Sequence, residues 1–214
     1  MRRCLYFIFI TIFSLTFFTI LMNAQIIEKN HPFVLVNFNN KELLTTLNTP
    51  MGVFNFNPKD PEAYCKSKII KDKDLHKKGY YLQVDYDVYS SKVAFSGVWI
   101  NLNNINFNFF KEIQIYLKGD KKLNFNDKIK LELKDNQGNK AIYIIKDITS
   151  NWHLFKIRKE DFEIQNIFNW SNLKEMVFVF EDWRFNIKVG RYYLDDIIFI
   201  PENDTHITIK DLKQ

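Results

Sequence analysis

The chain has 214 residues, of which 46% are hydrophobic and 16% aromatic, and its net charge at pH 7 is +5. This length suits one domain, and its many phenylalanines can fill the space between two sheets. Basic residues are interspersed with acidic ones and form no stripe, which argues against a nucleic-acid-binding protein.

Residues 1–24 have the pattern of an export signal. Two arginines precede an almost wholly apolar stretch over residues 5–22, and Ala24 offers a small residue for cleavage. The alternative is an uncleaved membrane tether through residues 5–22, because 18 apolar residues fall just short of a comfortable span. Cleavage would lower the net charge to +3 and leave Cys65 without a disulfide partner. We expect a secreted protein, or one in the periplasm or cell envelope.

The sequence from residue 33 onwards is predicted to form strands. A short apolar strand over 34–36 is followed by an asparagine-rich turn and by a loop over 48–62. Strand-like alternation or apolar runs then recur at 80–88, 113–118, 128–134, 141–145, 176–180 and 192–200. The turn over 135–139 predicts a hairpin, and the apolar run at 176–180 indicates a strand buried on both faces.

Helical periodicity is nearly absent, and strands recur every 10–15 residues with turn signals between them. This pattern favours an all-β fold, a β-sandwich or jelly roll, over any α/β fold. We therefore predict one β-sandwich domain over residues 33–200, followed by a polar tail over 201–214. In this fold Trp99 and Trp152 are expected to anchor the core.

Four short phrases occur along this predicted domain in a specific order. They are Asn37-Phe38-Asn39, Phe95-Ser96-Gly97, Ser150-Asn151-Trp152 and Leu194-Asp195-Asp196. In this order the phrases resemble the carbohydrate-binding modules of family 11, which have a galactose-binding-like jelly roll. The phrases are also similar to those of the β-sandwich in complex I intermediate-associated proteins. The resemblance implies a binding protein without chemistry of its own.

The resemblance also implies a structural calcium ion that links the first strand to the last. By position, Asn39 matches the acidic ligand of the family and Asp195 matches the aspartate of the final strand. An amide in place of a carboxylate keeps one oxygen and removes a charge, which weakens a calcium site. The alternative is that Asp195 caps the strand end or pairs with a lysine.

In these modules the sugar lies on a concave sheet face, where rings stack on it and acids or amides bond its hydroxyls. By position Phe95 and Phe180 match aromatic platforms, although core packing is the alternative for both. Trp183 follows a strand end, and alternation places Tyr116 and Tyr143 opposite the inferred core and Asp85 with Asp87 on a non-core face. The predicted ligand-binding residues are Trp183, Tyr143, Tyr116, Phe95, Phe180, Asp85 and Asp87.

Three functions remain open from the sequence. The first is an exported, non-catalytic module that binds a polysaccharide or glycan. The second is a protein–protein adaptor or assembly factor on the same sandwich. The third is a weak glycoside hydrolase, because Asp85 and Asp87 would stand roughly 7 Å apart on one strand. No zinc-type spacing, phosphate loop or serine-hydrolase elbow is present, and the oligomeric state stays open.

Overall fold

The computed structural model describes residues 32–57, 59–71, 79–165 and 167–202. The predicted export signal and most of the predicted polar tail lie outside the described residues. The described residues form strands and two 3₁₀ turns, at Phe107–Phe109 and Lys159–Asp161. The strands are β1 (Phe33–Val36), β2 (Met51–Asn55), β3 (Tyr64–Lys71), β4 (Tyr80–Asp87), β5 (Phe95–Ile105), β6 (Phe110–Gly119), β7 (Ile129–Asp135), β8 (Lys140–Ile145), β9 (His153–Arg158), β10 (Glu163–Gln165), β11 (Leu173–Glu181) and β12 (Val189–Pro201).

These strands form two antiparallel sheets that pack face to face. The first sheet has the order β3-β4-β12-β6-β9, and β1 also pairs with β12. The second sheet has the order β10-β8-β7-β11-β5-β2. Strands far apart in sequence are neighbours in both sheets, so the chain crosses repeatedly between them. The predicted all-β jelly-roll sandwich is confirmed.

Alternation in the sequence explains most of the strand faces. In β4, Leu82, Val84 and Tyr86 are buried between the sheets, whereas the side chains between them point outwards. The predicted hairpin is β7–β8. Its turn contains Gly138 at φ +85, a conformation that favours glycine, and the Asp135 carboxylate accepts the backbone N–H of Gln137 and Asn139.

Stacked rings hold one part of the core together. The ring of Phe180 lies 4.7 Å from that of Tyr86 and 5.6 Å from that of Tyr192, measured between centroids. The amide of buried Asn126 donates to the Tyr86 hydroxyl at 3.1 Å, and the Tyr192 hydroxyl donates to the Asn126 carbonyl at 2.9 Å. The two tyrosines therefore bury their rings with satisfied hydroxyl groups.

A β-bulge in β12 lets the strand direct apolar side chains into the core both before and after the bulge. Asp196 has a φ of +36, and the pairing with β6 skips from Asp195 to Ile197. Because of this extra residue, Leu194 and Ile197 both point into the core although they are three positions apart.

Candidate functional site

The outer face of the second sheet forms a trough. Leu131 and Phe178 point into the core, so their neighbours in β7 and β11 point outwards. These outward side chains are nevertheless at most 9% exposed; they are Lys130, Glu132, Val177, Val179 and Glu181. An open, flat sheet would leave them in water, so flanking side chains rise around this floor.

A cavity of about 540 Å³ lies at the β8–β10 side of the trough. This volume is in the range of small-ligand sites. Charged, amide and apolar groups line it together, a mixture suited to a ligand that has both polar and apolar surfaces. The lining residues are Lys130, Ile142, Tyr143, Ile144, Lys146, Asp161, Glu163, Gln165 and Arg184.

An ionic network forms the floor of the trough. The ammonium of Lys130 contacts the carboxylate of Glu132 at 2.9 Å and also that of Glu181. Lys140 reaches Glu132 at 3.0 Å, and Arg184 reaches Glu181 at 2.6 Å. Burial alone would raise the pKa of Glu132, but hydrogen bonds from Lys130 and Lys140 outweigh it and lower the pKa. The floor therefore presents fixed charges whose geometry is set before any ligand arrives.

Four aromatic side chains form a wall beside this floor, which we call the aromatic wall: Phe54, Phe56, Phe95 and Trp183. Phe95 stacks on Phe56 with centroids 4.4 Å apart and meets the edge of Trp183 at 6.0 Å. Trp183 is 58% exposed and Phe56 is 57% exposed, so both rings offer apolar surface to solvent. Arg184 follows Trp183 in the chain and joins the wall to the ionic floor.

Two glycines allow rings to lie against the sheet. A Cβ on Gly97 would come within 2.1 Å of the Phe178 carbonyl oxygen and 2.7 Å of the Phe54 ring. A Cβ on Gly52 would come within 3.0 Å of the Trp99 ring. Any larger residue at Gly97 would push the base of the aromatic wall away from β5.

The structure brings together two of the predicted ligand-binding residues, Phe95 and Trp183, in the aromatic wall. Phe180 is a correction: it is 1% exposed and stacks in the core, so a surface ligand cannot reach its ring. Tyr143 is also a correction, because it pairs with inward-pointing Leu131 and packs on Phe162 at 5.9 Å. Tyr143 is among the residues that line the cavity, but its side chain lies on the core side of β8 and does not project from the outer face.

The other three predicted ligand-binding residues lie on the opposite sheet. Tyr116, Asp85 and Asp87 all point outwards from the first sheet, away from the aromatic wall. Asp85 forms a salt bridge with Arg191, and Asp87 accepts the backbone N–H of Tyr89 at 2.8 Å. Burial raises the pKa of Asp87. The predicted ligand-binding residues are therefore divided between the outer faces of the two sheets, and one small ligand cannot contact both faces.

The predicted calcium ligands each accept a hydrogen bond from a backbone N–H group. The Asn39 side-chain oxygen accepts the backbone N–H of Tyr80 at 3.3 Å, and the Asp195 carboxylate accepts that of Asp196 at 2.8 Å. Calcium takes six to eight oxygens in proteins. Among the described residues no group of three or more His, Cys, Asp or Glu could hold a metal ion. Asn39 and Asp195 alone do not fit a calcium site, and calcium binding stays a prediction.

Two tryptophans expected in the core lie on outer faces instead. Trp99 pairs with Val177 and Gly52 and points outwards from the second sheet. Trp152 precedes β9, and its ring lies beneath the Lys118 ammonium on the first sheet. Sequence reasoning also missed Lys130 and Arg184. The available signals were the opposite charges close by in sequence, Glu132 for Lys130 and Glu181 for Arg184. Only the contact between Lys130 and Glu181 depends on the pairing of two strands.

No family model matches the sequence, and no curated protein matches it. A family 11 carbohydrate-binding module of a cellulosomal cellulase from Clostridium thermocellum is similar in structure, with a TM-score of 0.61 and 17% identity. The similarity covers 84% of this chain and 100% of that chain. A family 11 module from Clostridium thermocellum in complex with a β-1,3-1,4-mixed-linked tetrasaccharide gives a TM-score of 0.56 and 17% identity, covering 72% and 91% of the two chains.

An exo-β-agarase is also similar, with a TM-score of 0.55 and 11% identity over 81% of this chain and 25% of the enzyme. This chain thus spans about a quarter of that enzyme. At such identities the comparisons establish the fold, as the four sequence phrases predicted. The chain is a jelly-roll β-sandwich of the kind seen in family 11 carbohydrate-binding modules.

Proposed function

We propose that the protein is a non-catalytic carbohydrate-binding module whose oligosaccharide or polysaccharide ligand lies in the trough of the second sheet. The observation that carries this proposal is the exposed aromatic wall beside a floor of fixed charges. Phe56 and Trp183 present apolar rings, and Arg184 lies next to them.

This arrangement suits the two surfaces of a sugar ring. The C–H groups of a pyranose can pack on aromatic faces, which bury a large area with few rotatable bonds. Sugar hydroxyls can exchange water for charged partners, and such hydrogen bonds are stronger than neutral ones. Lys146, Asp161 and Glu163 supply such partners in the cavity, across the floor of the trough from the wall.

The location and the absence of catalysis belong to the same proposal. None of the helical turns in the described ranges is long and apolar enough to cross a membrane. Export depends on residues 1–24, so fractionation of cells should recover the protein outside the cytoplasm. Prolonged incubation with the retained glycan should release no reducing sugar, and sustained release that depends on Asp85 or Asp87 would contradict a purely binding role.

Retention on immobilised polysaccharides tests the binding site. Wild-type protein is expected to bind at least one of a panel of β-glucans, xylans, mannans and chitin. Trp183→Ala should weaken that binding about tenfold or more, the size of effect expected for a central aromatic contact. Because Trp183 is 58% exposed, its removal should leave the fold intact.

Tyr116→Ala is the matched control, since it removes an aromatic side chain from the opposite sheet. It should bind the polysaccharide as the wild type does. Phe95→Ala, a second variant of the aromatic wall, should also weaken binding. Full retention by both wall variants, or no retention of any polysaccharide by the wild type, would contradict the proposed function.

A further inference from the structure

The outer face of the first sheet carries a second group of aromatic rings. Tyr81 meets the edge of Trp152 at 5.6 Å and that of Tyr193 at 5.3 Å, measured between centroids. The ammonium of Lys118 lies over all three rings, at 4.9 Å from Trp152, 5.1 Å from Tyr193 and 5.9 Å from Tyr81. We call these four side chains the Lys118 platform.

The platform lies on a row of side chains that crosses the sheet. Lys68 pairs with Gln83, Gln83 with Tyr193, and Tyr193 with Lys118. Trp152 continues the row beyond Lys118. Neighbouring strands are about 4.8 Å apart, so the row from Lys68 to Trp152 extends for roughly 19 Å. That length accommodates a short oligosaccharide laid across the strands.

Polar groups beside the platform are held in fixed positions. Asp85 accepts hydrogen bonds from Arg191 at 3.1 Å and from the Gln83 amide at 3.0 Å. The Tyr193 hydroxyl donates to Asp120, and burial together with this hydrogen bond raises the pKa of Tyr193 to about 12. These contacts fix the orientation of Arg191, Gln83 and Tyr193 before a ligand binds.

The lysines of this face are not neutralised in the same way. Lys66, Lys68 and Lys118 form no salt bridge within the part of the chain that the structure describes. Lys118 instead rests on ring faces, and Lys66 lies 4.7 Å from the Tyr64 ring centroid. A cation held over aromatic rings keeps its full charge, so an anion that approaches gains a charge-assisted hydrogen bond.

We propose that the Lys118 platform is a second glycan-binding site and that its ligand is an oligosaccharide with uronic acid residues. A uronate carboxylate would pair with Lys118 and draw the flexible lysine side chain off the rings. The ring faces of Trp152 and Tyr193 would then accept the C–H face of the same sugar. A neutral sugar would have to displace the ammonium without giving it a new partner.

This site is separate from the trough, because the two outer faces belong to opposite sheets. The aromatic wall can bind its glycan whether or not the platform binds a uronate. Variants of one face therefore report on one site, and failure of either proposal can be recognised without reference to the other.

Calorimetric titration with short oligogalacturonates and oligomannuronates tests the proposal. Lys118→Gln should weaken uronate binding at least tenfold, and Trp152→Ala should weaken it as well. Lys111→Gln is the matched control, since it removes the same charge from an exposed position on the same strand. That control should bind the uronate as the wild type does. Melting curves of each variant check the fold.

Neutral cello-oligosaccharides and sulfated oligosaccharides are titrated in parallel. In Trp183→Ala, whose trough binds its glycan poorly, weaker binding of both than of the uronates supports a carboxylate-specific site on the platform, whereas stronger binding of either by this variant overturns the assignment. No saturable binding of any uronate by the wild type also overturns it. So does uronate binding that Trp183→Ala abolishes and Lys118→Gln leaves unchanged, because the ligand would then lie in the trough.

Discussion

The two outer faces of the sandwich both carry aromatic rings and lysines, but they arrange them in opposite ways. In the trough, Lys130 lies at the bottom between two glutamates, and the rings of Phe56 and Trp183 are exposed beside it. On the first sheet, Lys118 lies above the rings of Trp152 and Tyr193. The trough therefore offers free ring surface and neutralised charge, whereas the platform offers covered rings and a cation that forms no salt bridge with any described residue.

This difference shows that counting aromatic residues does not identify a binding face. The rings of the aromatic wall can accept a neutral sugar directly. The rings of the platform become available only when the Lys118 ammonium binds another group more strongly than it binds their π-faces. Cation–π contacts at exposed sites are worth about 0.5–1 kcal/mol, so a carboxylate can compete with them.

The largest expected effect concerns the two lysines themselves. Lys130→Met leaves buried carboxylates with fewer partners and should lower the free energy of unfolding by about 3 kcal/mol or more. Lys118→Met removes only exposed contacts with rings and should lower it by about 1 kcal/mol or less. Urea unfolding of both variants measures the difference. Equal losses of unfolding free energy in the two variants would contradict the difference between a buried, paired Lys130 and a Lys118 that only contacts rings.

The next largest effect is a selective loss of one ligand when a tryptophan on one face is removed. Trp183→Ala should lose about tenfold or more in affinity for the trough glycan and keep uronate binding. Trp152→Ala should show the reverse pattern. Parallel titrations with both ligands measure the four affinities. A similar loss for both ligands in either variant would contradict two independent sites.

The third effect is a dependence of stability on pH that arises in the trough. The pKa of Glu132 is lowered in the folded protein from its ordinary value of 4.5, so its ionisation stabilises the fold above that pH. This stabilisation is lost as the pH falls through the lowered folded pKa. Glu132→Gln should therefore show a smaller decline in stability between neutral and acidic pH. Thermal melting across that range is the measurement, and an unchanged decline would contradict the network.

The smallest expected effect is that of the predicted calcium ion. Calcium binding near Asn39 and Asp195 would raise the stability by about 1 kcal/mol, or about 2–4 °C in melting temperature for a domain of this size. Asn39→Asp should enlarge the effect by restoring a carboxylate. Calorimetry on demetallated protein detects it. No heat of binding and no change in melting in either protein would remove calcium from the account.

The sequence predicted most strands because their alternation is strong. The hairpin β7–β8 and the doubly buried strand β11 both lie where the pattern placed them. Within the site, Phe95 and Trp183 could be predicted, since a family phrase and a strand end pointed to them. Alternation shows which residues share a face, and a chain with one apolar face per strand is easily interpreted.

The remaining site residues could not be predicted because several strands are apolar on both faces. In β8, Tyr143 and Ile144 are equally compatible with the core, so only the pairing with Leu131 decides that Tyr143 points inwards. Trp99 and Trp152 look like core residues, yet sheet pairing turns Trp99 outwards and Trp152 lies beneath Lys118 on the outer face of the first sheet. The contact between Lys130 and Glu181 joins two strands far apart in sequence, and spacing within one strand carries no information about it.

The most direct test of the central claim uses the four tryptophans as reporters, since each indole N–H gives its own NMR signal. Trp183 marks the aromatic wall and Trp152 marks the platform, while Trp170 packs against the core. Titration with the neutral glycan that the protein retains should shift the Trp183 signal and leave those of Trp152 and Trp170 in place. A shift of the Trp152 signal with an unmoved Trp183 signal would contradict binding in the trough.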